Sequence, residues 1–122
     1  MRMSDTGGSL AAPDRAQIVR ECYRAYETGE RALLERHLSE DFRFSSPADV
    51  GIDLATYWER CWPNAGRTAG FELTRLVESG DEVIVTYVAT RIDGTRFRNT
   101  EVMTFDGERV REVEVYFGWN LD

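Results

Sequence analysis

Apolar residues recur at three- and four-residue spacing from Ile18 and Val19 through Cys22 and Tyr23 to Tyr26. That is the period of an amphipathic helix. Pro13 and Asp14 suit its first turn, and Gly29 suits its end. A second, shorter helix is predicted from Glu30, with Leu33, Leu34, His37 and Leu38 along one side, stopping at the polar cluster Ser39–Asp41. Phe42, Arg43, Phe44 and Ser45 then alternate as a short strand that Pro47 closes. Ala48 to Ile52 reads as a loop leading to Asp53, an N-cap. A third helix presents Leu54, Tyr57, Trp58, Cys61 and Trp62 on one broad apolar side and is broken by Pro63. Asn64, Gly66 and Gly70 mark an exposed connection.

Beyond Gly70 the period changes from 3.6 to 2. Phe71–Glu78, Glu82–Ile92, Arg96–Phe105 and Arg109–Trp119 are β-rich runs separated by Ser79-Gly80-Asp81, Asp93-Gly94 and Asp106-Gly107, all favourable hairpin turns. They predict an antiparallel meander. Three helices followed by a strongly twisted antiparallel sheet make an α+β layout, with the helices packed over one concave face. Residues 1–11, with Ser4, Thr6, Gly7, Gly8 and Ser9, read as a flexible segment ahead of a single domain over 12–122.

Composition narrows the partners. The chain has 122 residues, 42% of them hydrophobic, which suits one core. Its 15 Lys+Arg against 22 Asp+Glu give a net charge of −7, and this argues against nucleic acid or an anionic membrane as partner. Cys22 and Cys61 form no CxxC pair, and the single histidine, His37, has no ligand partner at metal-site spacing, so no metal is expected. No apolar run has signal-peptide or membrane-span length, which predicts a cytoplasmic protein with reduced thiols.

The segments YETGERALLERHLSEDFRFSSP, YWERCWPN and EVMTFDGERVREVEVYFGWNL, in this order of elements, are similar to the nuclear transport factor 2-like superfamily. That is the cone-shaped α+β barrel of ketosteroid isomerases, scytalone dehydratase and SnoaL-like polyketide cyclases. The resemblance covers the chain from about Pro13 to Leu121. It implies a pocket between the curved sheet and the helices, a homodimer through the sheet, and no metal or organic cofactor. Fold by itself does not fix function.

Strand alternation identifies the polar groups that face such a pocket. On the third long strand Phe97, Asn99, Glu101, Met103 and Phe105 share one face, and Arg98, Thr100, Val102 and Thr104 the other. Glu101 and Asn99 are thus polar groups on an apolar face, where a carboxyl acquires a raised pKa suited to general acid or base work. On the last strand Val113, Val115, Phe117 and Trp119 face inward, against Glu112, Glu114, Tyr116 and Gly118 outward. Cys22, Tyr26, Tyr57, Cys61 and Trp62 close the helical side of a greasy pocket suited to a slim hydrophobic ligand.

Against the ketosteroid isomerase pattern the correspondence is partial. Glu101 falls where those enzymes carry a hydrogen-bond-donating acid, while Ser46 occupies the position of their base and Cys22 that of their oxyanion tyrosine, with Tyr23 and Tyr26 nearby. This argues against steroid isomerisation by that mechanism. Glu101 has a structural alternative, as a carboxylate paired with Arg75, Arg91 or a hydroxyl, or exposed at the rim. Asn99 could serve to orient it. His37 reads as a packing residue, and the two cysteines as small buried hydrophobes without a basic neighbour. The acidic outer strand face is a solvated surface or a dimer face, for which Arg98, Arg109 or Arg111 would offset the charge.

Two functions are therefore expected. One is a cofactor-independent lyase, isomerase or cyclase using Glu101 for proton transfer on a hydrophobic carbonyl compound, with Cys22, Tyr26, Ser46, Tyr57, Cys61, Trp62, Asn99, Met103, Val115 and Phe117 lining the site. The other is a non-catalytic ligand-binding or dimerisation module.

Overall fold

The computed structural model describes residues 14–121, so the segment 1–11 lies outside the described residues. Helix α1 (Arg15–Thr28) starts where the Asp14 side chain accepts a hydrogen bond from the Gln17 N–H, and ends at Gly29 in left-handed conformation. Its periodic face, Ile18, Val19, Cys22, Tyr23 and Ala25, is buried. At its start Arg15 reaches the carbonyls of Gly80 and Gly107, so the helix is latched to two of the hairpin turns.

Helix α2 is shorter than the sequence suggests, only Arg31–Glu35. Leu38 does not extend it. The His37 carbonyl accepts from the Val110 N–H at 2.7 Å, and Leu38 opens strand β1 (Leu38–Ser46) in register with Val110. Leu34 and Leu38 are both buried, as a helix would require, but tertiary pairing decides the backbone. The stretch read as a loop also differs: Asp49–Asp53 is a strand, β2, folded back on β1. Helix α3 (Leu54–Arg60) has Asp53 as its N-cap, bonded to the Thr56 N–H at 2.9 Å. A tighter helical turn over Trp62–Arg67 contains Pro63.

The meander follows as β3 (Thr68–Ser79), β4 (Glu82–Arg91), β5 (Arg96–Asp106) and β6 (Arg109–Leu121). All six strands form one sheet in the order β2-β1-β6-β5-β4-β3, curved and unclosed. The sheet is mixed rather than wholly antiparallel, because β1 runs parallel to β6. Helix α3 and four strands lie between them in the chain, long enough for the crossover a parallel pair requires.

Pairing slips between Leu73 and Arg75 of β3, and opposite Thr104/Phe105 and Phe97/Asn99 in β6. Such bulges bend and twist the strands, and here they wrap the sheet around the helices. The last one corrects a sequence expectation. It places one extra residue in β6 between Phe117 and Asn120, so Trp119 does not follow Phe117 inward. Trp119 is 62% exposed, with the Arg98 guanidinium 5.2 Å from its ring. Gly118 sits at the slip, where an added Cβ would land on the Arg98 carbonyl. Among the described residues no helix is long and apolar enough to cross a membrane.

Candidate functional site

The inward residues of β4 and β5 fill the lower cone. Val83, Val85, Met103 and Phe105 are buried in one core with Val19 and Cys22 of α1 and Val110 and Val113 of β6. Toward the wider end the packing opens into a cavity of about 330 Å³, of the size of a small-molecule site.

Glu101 is the carboxyl of the inner wall. Its Oε1 accepts from the Tyr23 hydroxyl at 2.9 Å and its Oε2 from the Tyr87 hydroxyl at 2.7 Å. The Asn99 side-chain Nδ2 donates to the Tyr87 oxygen at 3.3 Å, and its side-chain Oδ1 accepts from the Gly118 N–H at 3.1 Å. A chain of hydrogen bonds thus runs from the β6 bulge to the carboxyl. Among the described residues no arginine pairs with Glu101, so of the structural alternatives neither Arg75 nor Arg91 is its partner, whereas pairing with hydroxyls is met by Tyr23 and Tyr87. Burial raises its pKa, and the Tyr87 and Tyr23 hydrogen bonds only partly oppose that. Burial, with the Glu101 charge next, holds the Tyr23 and Tyr87 phenols well above their ordinary value.

A second phenol pair completes the wall. The hydroxyls of Tyr26 and Tyr57 are 2.6 Å apart, and whichever one accepts keeps its own proton for a ligand. Both are raised by burial first, and both sense Glu101. The thiols are not nucleophiles. Burial pushes Cys22 up to about 12 and Cys61 up to about 11, so both stay protonated.

Of the residues predicted from sequence, Cys22, Tyr26, Ser46, Tyr57, Cys61, Asn99, Glu101, Met103, Val115 and Phe117 all line this cavity. Trp62 does not. Helix α3 ends at Arg60 and the tighter turn that follows carries Trp62 behind Tyr26, their ring centroids 5.0 Å apart. The Ser46 hydroxyl accepts from the Ala48 N–H, a turn contact. His37, with its side chain 14% exposed, is bonded to Glu21 at 2.7 Å, away from the cavity. That bond, and Arg36 after it, hold the Glu21 carboxyl below its ordinary value. Among the described residues no three His, Cys, Asp or Glu side chains come together as a metal cradle.

Sequence reasoning assigned neither of the two phenols that bind Glu101 to the site, although Tyr23 stood out as a neighbour of Cys22 at the oxyanion-tyrosine position. Tyr87 was recoverable, because it alternates with Val85 and Ala89 and is directly opposite Asn99 across the β4–β5 ladder. Tyr23 was not, because α1 carries tyrosines at 23 and 26 and only the helix rotation decides which one meets the carboxyl.

Compared with known proteins, the profile of the SnoaL-like domain matches residues 19–113. The chain belongs to the SnoaL-like family. No curated protein matches it. Among solved structures this SnoaL-like chain is similar to an NTF2-like protein of unknown function from Cytophaga hutchinsonii, 17% identical, covering 90% of this chain and 95% of that one with a TM-score of 0.71. It is also similar to AclR, a proposed hydroxylase from Streptomyces galilaeus, at 16% identity, 88% and 77% coverage and a TM-score of 0.70. A proposed ketosteroid isomerase from Kribbella flavida gives 16%, 88%, 80% and 0.68. At such identities the likeness establishes the NTF2-like cone and nothing about the reaction. The chemistry of the SnoaL-like cavity has to come from its own side chains, and those on its inner wall are a carboxyl and phenol groups.

Proposed function

We propose that this SnoaL-like protein catalyses proton transfer on a hydrophobic carbonyl compound without an organic cofactor, in a lyase, isomerase or cyclase reaction. One observation carries the reading: the Glu101 carboxyl lines an apolar cavity, has no cationic partner among the described residues and is held between two phenols. Its raised pKa makes it a better base than an exposed glutamate. It takes the proton from the carbon next to the carbonyl, and the C–H electron pair moves toward the carbonyl oxygen. The Tyr26–Tyr57 pair, with one hydroxyl proton free, donates to the enolate oxygen that results. Return of the proton at another carbon is isomerisation, expulsion of a leaving group is elimination, and attack of the enolate on a second carbonyl is cyclisation.

Solvent-deuterium exchange of 2-tetralone, followed by proton NMR, tests this reading. Exchange at the carbons beside the carbonyl is expected with the unmodified protein, and about 10²–10⁴-fold slower with Glu101→Gln, the usual weight of a general base. Equal exchange by both proteins, or a Glu101 pKa near ~4.3 by carbon-detected NMR, sinks it.

The subunit arrangement is likewise a proposal. The convex face of the sheet exposes Val77, Tyr116 and Trp119, while Thr86 and Val88 on the same face are already buried by their neighbours. A second copy of the chain packed there would cover the three and form a homodimer.

A further inference from the structure

The cavity mouth has a charge that the chain as a whole does not. Although the protein is acidic, three arginines, Arg60, Arg67 and Arg91, line the cavity against two acids, Asp49 and Glu101. Asp49 is taken by Arg60 at 2.6 Å, and Glu101 by the two phenols. Arg67 and Arg91 are both solvent-exposed, which places them at the opening, and neither reaches a carboxylate among the described residues. Asp93, the acid nearest Arg91 in the chain, feels the Arg91 charge but makes its hydrogen bonds to the Thr95 N–H and hydroxyl, which weigh more on it.

The two cations belong to one lip. Thr68, the neighbour of Arg67, is in register with Arg91, and the Ile92 N–H donates to the Arg67 carbonyl at 2.9 Å. The Arg91 guanidinium lies 4.3 Å from the centre of the Phe97 ring, itself part of the cavity wall. Stacked in this way a guanidinium is fixed in place while its N–H edge stays free for a planar oxyanion. Phe117, 59% exposed, continues the apolar lip.

We infer that the ligand of this cavity is a hydrophobic carboxylic acid, its apolar body inside the cone and its carboxylate held at the mouth by Arg67 and Arg91. The inference rests on the cavity reading proposed above and adds the substrate class. A neutral ligand would leave both cations as they are in the free protein. A carboxylate gains two charge-assisted contacts on the side where the ligand enters.

The experiment compares 2-naphthoate with methyl 2-naphthoate by titration calorimetry at low salt. The acid is expected to bind about 10-fold more tightly than the ester, the scale of two partly exposed ion contacts. The preference should disappear in the R67Q/R91Q double variant, shrink in R67Q alone, and persist in R111Q, which lies outside the cavity lining. Raising salt should weaken the acid and leave the ester unchanged, a check on the unmodified protein. Equal binding of acid and ester, or a preference that survives the double substitution, overturns the carboxylate inference while leaving the cavity reading intact. Binding of neither probe overturns both.

Discussion

A carboxyl that accepts two phenolic hydrogen bonds inside an apolar cavity is pulled in opposite directions, and at Glu101 burial outweighs the bonds. Removing one bond should therefore move its pKa further up. Tyr23→Phe is expected to raise the Glu101 pKa, read by carbon-detected NMR, and to cost about 1.5–3 kcal/mol of stability where the carboxyl is ionised, one buried bond to a charged group. An unchanged titration would mean that Tyr23 does not touch the carboxyl in solution. The sign for stability follows from linkage. A carboxyl whose native pKa lies above its unfolded value is free of penalty at pH below both. Between the ordinary value near 4.5 and the raised native value the folded state holds the extra proton, so stability falls as pH rises, then levels off. Urea unfolding across that window should show this decline in the unmodified protein and its loss in Glu101→Gln. At this scale the sequence was informative about which residue is polar on an apolar face, since alternation along β5 is local. It could not supply the partners, because Tyr23 and Tyr87 are 78 and 14 residues from Glu101 and meet it only through the fold.

Elements follow the sequence where their signals are local. Both ends of α1, the Asp53 cap of α3 and the three hairpins all rest on neighbouring residues, and they lie where capping and turn chemistry put them. The departures are positions where a distant strand decides. Leu38 and Asp49–Asp53 became strands because β6 and β1 offered edges to pair with, and no spacing in the chain announces a parallel crossover. Trp119 turned outward because a bulge adds a residue, and a period-2 reading has no means of counting it. That bulge depends on Gly118, whose missing Cβ lets β6 approach the Arg98 backbone and whose N–H anchors Asn99. Gly118→Ala is expected to cost about 1–3 kcal/mol, the range for overpacking, because a backbone carbonyl has to move. It should also loosen the Asn99–Tyr87–Glu101 chain, visible as a shifted Glu101 titration. Gly66→Ala, with open space around the added methyl, is the control and should change the urea midpoint little. Equal effects of the two would remove the bulge from the account of the site.

For the molecule as a whole, the excess of acid over base is compatible with an arginine-lined mouth because the two charges have different places and tasks. Glu112 and Glu114 lie on the convex side, where the Tyr116 hydroxyl donates to Glu114 at 2.6 Å and Arg98 covers Trp119. A homodimer through this face would juxtapose the same acids and arginines from two copies, so it requires the Arg98 guanidinium of each to meet carboxylates of the other while the exposed rings of Tyr116 and Trp119 are buried. Trp119→Glu adds a negative charge to that face and removes apolar area, without touching the cavity lining. Light scattering is expected to give twice the chain mass for the unmodified protein at micromolar concentration, and a shift toward monomer for Trp119→Glu, with 2-naphthoate binding retained. A monomer for the unmodified protein would place the exposed aromatic residues outside any subunit interface. Loss of naphthoate binding together with the dimer would tie the cavity to the assembly, since the bulge that carries Trp119 outward also holds Asn99 in the chain leading to Glu101.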